Sequence, residues 1–260
     1  MRRGGARALA AMLVLAVLLT GCGRFRNLRL SMPGFFGMQR ASANLWVEPG
    51  MPAATRADLQ YAFLLARRRI EAFYGPLRSS PQVVACVTEA RARVFGLRGA
   101  RAHTVAGRTI LLGPRGLAAS ILTHEWAHAE LYARLGRRGP NGIAGVPRWF
   151  DEGLACVISE EPAHSEANWQ EIQRRRLPTP SLNEMITFPQ MLEAARRYGD
   201  IRRDSTMNHH VVYTTAAHEV RGWLASAGRR GVLQLISAMS AGEPFGPTYL
   251  RLQGEAAAPR

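Results

Sequence analysis

The chain has 260 residues, enough for the core of one domain of ordinary size or slightly more. Its 34 basic and 19 acidic residues give a formal net charge of +15, and every basic side chain is arginine. The charge is scattered, with no basic stripe interleaved with aromatics and no nucleic-acid-binding module, which argues against nucleic acid as a partner and suits a solvated surface or anionic lipid and polysaccharide.

In chain order, Arg2, Arg3 and Arg7 precede an uncharged apolar run from Ala8 to Leu19. This is the pattern of a secretory signal peptide, and the run is too short to span a bilayer comfortably. It ends in Leu19-Thr20-Gly21-Cys22, which resembles a bacterial lipobox. The resemblance implies that residues 1–21 are removed and that Cys22 is lipidated, tethering the chain to a membrane of the bacterial cell envelope, facing the periplasm or exterior. Loss of three arginines then leaves a net charge of +12.

Residues 22–43 mix Gly, Pro, Ser, Asn, Met and Arg without a period and read as a linker. Folded structure is expected from Asn44 to Leu250, with residues 251–260 a flexible tail. "NLWVEPG" suggests a short strand, and Thr55 is placed to cap a helix running to Phe73. "PQVVACVT" suggests a buried strand, Glu89 to Phe95 a short helix, and "RAHTVAG" with "RTILLGP" a hairpin turning near Gly107. From Ser120 onward helices dominate: Ser120–Gly136, Pro147–Ser159, then segments near Pro189–Tyr198, Asn208–Ala227 and Arg230–Met239. This order predicts an α+β fold, a small mixed or antiparallel sheet against a helix and then a mostly helical half. Cys86 and Cys156 would either pair as a disulfide in an oxidising compartment or remain two buried free thiols.

The helix "SILTHEWAHAELYARLG" carries His124, Glu125 and His128. Residues four apart on an α-helix share a face, so the two imidazoles can grip one ion. Glu125 is rotated aside, unable to bind that ion easily but able to reach a water beside it. A catalytic zinc needs a third protein ligand and an open fourth position. "VPRWFDEGLACVIS" offers Asp151 and Glu152, and Gly153 inside this helix costs about 1 kcal/mol relative to alanine, a penalty that fits a close passage of two backbones.

"HEWAH", 23 intervening residues, and Glu152 within "WFDEGLA" together resemble the gluzincin zinc metallopeptidases, most closely the peptidase MA-like families. The resemblance covers roughly residues 81–245. It implies a zincin-like fold, one zinc per chain held by His124, His128 and Glu152, and Glu125 as general base. Asp151 would orient a ligand imidazole, and Tyr213 would donate to the developing oxyanion, with His209 and His210 as alternative donors. His218-Glu219 lacks a second histidine and reads as structural.

The reaction implied is hydrolysis of a peptide or protein substrate, with "RTILLG" as a strand edge on which an extended backbone could pair. No large N-terminal substrate domain and no motif for a free amine are present, which favours an endopeptidase over an aminopeptidase. Two other readings are a zinc-binding but inactive scaffold and a lipid-tethered binder of anionic envelope polymers.

Overall fold

A computed structural model describes residues 27–136, 138–139, 142–143, 145–199 and 210–257. The expected signal peptide, Cys22 and His209 lie outside the described residues. The architecture is α+β: a five-stranded mixed sheet, then a helical half.

The chain begins earlier than expected. Residues 27–31 are helical (α1), Pro33–Phe36 forms a 3-10 turn, and Gln39–Ser42 is strand β1, paired antiparallel with β2 (Leu45–Val47). Much of the proposed linker is therefore folded, because Leu30 and Met38 bury their side chains against the sheet. Helix α2 (Ala53–Tyr74) starts two residues before Thr55, with Pro52 at its cap and no capping side chain. Strand β3 (Gln82–Ala85), helix α3 (Glu89–Val94, capped by Thr88), β4 (Ala102–Val105) and β5 (Thr109–Leu112) follow. The β4–β5 hairpin turns through Ala106 (φ 59°) and Gly107 (φ 62°), whose left-handed backbone matches the twist of the paired strands.

Strand order is β1-β2-β3-β5-β4, with β2, β3 and β5 parallel and the two outer strands antiparallel to their neighbours. This corrects the expected edge. The "RTILLG" strand is β5 and lies inside the sheet, whose outer strands are β1 and, beside β5, β4. Alternation along the strands separates two faces. Leu45, Val47, Val83, Ala85, Ile110 and Leu112 join the main core beneath the helices. Trp46, Val84, Cys86 and Leu111 face a smaller core closed by Leu30, Met38, Ala92, Phe95 and Leu97.

On the main-core face lie α4 (Ala119–Leu135) and, beyond it, α5 (Arg148–Ser159). The sequence pattern missed α6 (Glu166–Arg174), whose start is capped by Ser165 accepting from the Asn168 amide. After α7 (Phe188–Arg197), the span Val211–Ser240 (α8) is two helices meeting at a kink at Gly228, where φ is 64°, between the two helices expected there. Helix α9 (Phe245–Ala257) replaces most of the expected tail, since Phe245, Tyr249 and Leu252 bury into the core.

Candidate metal centre

Helix α4 presents His124 and His128 from successive turns, and α5 crosses it so that Glu152 faces the pair. His124 Nε2 lies 3.2 Å from His128 Nε2 and 3.1 Å from Glu152 Oε2, and His128 Nε2 lies 3.4 Å from the same oxygen. An ion bonded at about 2.0–2.1 Å in a tetrahedral shell needs donors about 3.3 Å apart. The triangle has that size, so His124, His128 and Glu152 could hold a metal ion.

The surrounding groups fix this triangle. Asp151 Oδ1 accepts from His128 Nδ1–H at 2.6 Å, which turns Nε2 toward the shared centre. His124 Nδ1 points at the Cys156 thiol, 3.9 Å away. Arg148, one turn earlier on α5, donates to Asp151 Oδ2 at 2.7 Å and to Glu152 Oε1, leaving Oε2 toward the histidines. Sequence reasoning missed Arg148, although its i, i+3 and i, i+4 spacing to the two acids was visible.

Charges in this buried setting sustain one another. Burial opposes ionisation of Glu152, but Arg148 and then His128 hold its pKa well below the usual carboxylate range. For His128, burial is outweighed by Asp151 and then Glu152, and its pKa is held well above that of an ordinary histidine. Arg148 is likewise kept charged against burial, by Glu152 and then Asp151.

Glu125 sits one residue around the helix, where Thr104 of the edge strand β4 reaches it. The Thr104 hydroxyl lies 2.6 Å from Glu125 Oε2 and 2.7 Å from the Glu125 carbonyl oxygen, so its single proton pins the carboxylate beside the strand edge. Tyr213, on the first turn of α8, is half-buried and stacks on His164 with ring centres 5.5 Å apart. Tyr213 and Glu125 are both within electrostatic reach of Arg148. His210 packs edge-on against His164 at 5.2 Å. His218 stands apart, stacked on Trp169 and bound to Glu166.

His164 was not anticipated from sequence. Its side chain is 3% exposed, its Nδ1 has no hydrogen-bond partner, and burial followed by His210, His124 and Arg101 push its pKa down to about 2. Its segment carries no recognisable spacing, and it reaches this wall only through the turn between α5 and α6.

Cys86 and Cys156 are free thiols. They sit in different environments, Cys86 in the smaller core behind the sheet and Cys156 against His124, which is why the possible disulfide does not form.

Comparison with protein-family models, with curated proteins and with solved structures found no match.

Proposed function

We propose that the protein is a zinc-dependent peptidase of the gluzincin type, acting as an endopeptidase from a lipid tether on the bacterial envelope. The observation that carries this reading is the convergence of His124 and His128 Nε2 with Glu152 Oε2 in a triangle of 3.1 to 3.4 Å, beside a glutamate held out of that triangle. The donor set of two imidazoles and a carboxylate is one that zinc accepts in catalytic sites, and His128 would give up its proton to bind the ion.

When bound, zinc would supply Lewis acidity and make water acidic near neutral pH. Glu125 then accepts the proton of the attacking water and returns it to the leaving amine, with Thr104 fixing which carboxylate oxygen faces the reaction. Asp151 and Arg148 keep His128 and Glu152 in register, so little reorganisation is needed as charge develops. Tyr213 donates to the oxyanion. The outer strand β4 lies beside Glu125, which favours a substrate bound in extended form along that side of the sheet.

Elemental analysis of the purified protein should find one zinc per chain, lost in His128→Ala. Glu125→Gln should retain the metal yet lose turnover of a casein or quenched-peptide substrate by at least about a hundredfold. An unchanged rate would eliminate the peptidase. For the tether, metabolic labelling with a fatty acid should disappear in Cys22→Ser, and label that persists would refute lipidation at that residue.

A further inference from the structure

We infer that the folded body has a second contact with the membrane, a docking face made by α1, the following 3-10 turn and α3, which seats on an anionic phospholipid surface. This surface is separate from the candidate metal centre; it does not depend on the peptidase reading but rests on the proposed lipid tether.

Leu28, Met32 and Phe35 recur at spacings of four and three and are 45%, 48% and 85% exposed, a solvent-facing apolar stripe at the start of the described chain. The segment is anchored beneath: Leu30, Pro33 and Met38 are buried, so the exposed side chains are held on a fixed base. Exposed Val94 of α3 adjoins them, because Arg29 donates to the Val94 carbonyl at 2.8 Å and Arg91 to that of Phe36 at 2.7 Å.

Charge complements the stripe. No acidic residue precedes Glu48 in the sequence, and Arg29 and Arg40 flank the apolar positions. Across α3 and the next turn, exposed Arg93 and Arg98 extend the basic rim. An exposed aromatic with Leu28 and Met32, flanked by more arginines than acids (Glu89 is the acid on α3), has the composition of an interfacial membrane contact, in which apolar side chains enter the headgroup boundary and cations pair with anionic lipid.

The position selects lipid over other occupants. Leu28 follows the proposed lipidation site Cys22 by six residues, so any bilayer holding that tether lies within reach of the stripe. The sheet also divides the molecule: α1 and α3 cover the face carrying Val84, Cys86 and Leu111, whereas α4 with its histidines covers the other. Docking by the first face turns the metal centre away from the bilayer.

The test uses the unlipidated chain beginning at Gly23, which contains every described residue, in co-sedimentation with vesicles of phosphatidylethanolamine containing phosphatidylglycerol. The protein should bind these and bind pure phosphatidylcholine vesicles far less. The double change Met32→Ser, Phe35→Ser, which leaves net charge unaltered and is compared at a melting temperature matched to the parent's, should weaken binding by about tenfold or more. Leu250→Ser, at an equally exposed position on α9, should bind like the parent, as should Glu125→Gln. No binding by the parent, undiminished binding by the double variant, or an equal loss in Leu250→Ser would each overturn the docking face. So would a dimer in solution that the double variant dissolves without any change in vesicle binding.

Discussion

His164 shows how one buried residue can set a pH limit for the whole fold. With a folded pKa near 2 and an ordinary unfolded value near 6.5, it stays neutral in the native state while the unfolded chain takes up a proton. Stability is therefore complete above about pH 6.5 and falls with pH below it, by at most about 1.4 kcal/mol per unit for this group. Comparing urea midpoints of the parent and His164→Gln from pH 7 to pH 4 should show the parent losing its advantage on acidification, by on the order of 2–3 kcal/mol. Parallel pH profiles would show that the imidazole is protonated in the folded protein. Asp151, Arg148 and Thr104 act differently, through hydrogen bonds that orient His128 and Glu152, the proposed ligands, and Glu125, the proposed base.

At the scale of elements, the site depends on how closely α5 approaches its neighbours. A Cβ on Gly153 would lie 2.3 Å from the Ala216 carbonyl oxygen and 2.8 Å from Val220 Cγ2, so α5 and α8 touch backbone to backbone there. Gly153→Ala must push the helices apart and should cost about 1–3 kcal/mol despite alanine's better helix propensity. Because Glu152 is the adjacent residue, zinc affinity should fall in parallel, measurable by competition with a chromogenic chelator. A stable variant with unchanged zinc affinity would show that the α5–α8 contact does not position the ligand. Helix α4 has its own fixed support: buried Glu130 accepts from the Arg78 and Ser79 amides, the Ser79 hydroxyl and Arg134, locking the helix to the loop before β3.

For the whole molecule, the candidate metal bridges α4 and α5 across the main core, so binding should be linked to folding. Zinc at a hundredfold excess over its dissociation constant would add about 2.7 kcal/mol. For a chain of this size that raises the melting temperature by roughly 5–10 °C. Differential scanning fluorimetry should show this shift on adding zinc after chelation, and none in His128→Ala. An equal shift in that variant would place the bound metal elsewhere. The sheet supplies the complementary division, with α4 and its two histidines on one face and the basic, apolar N-terminal cover on the other.

The sequence by itself determined what short-range geometry dictates. The i, i+4 spacing of His124 and His128 puts both rings on one face, the β4–β5 hairpin follows from its turn, and the interior glycine of α5 signals close packing. Local pattern also misled where burial came from distant partners. Residues 27–42 look like a linker but fold against the sheet, and the C-terminal residues look loose but pack as α9. Only the tertiary structure decided that Glu152 meets the histidines, that Arg148 directs it, that Cys156 lies beside His124 rather than pairing with Cys86, and that β4 rather than β5 is an outer strand. Periodicity fixes the direction of a side chain relative to its own helix or strand, whereas the partner it meets is set by how separate elements cross, which the packing of the entire core determines.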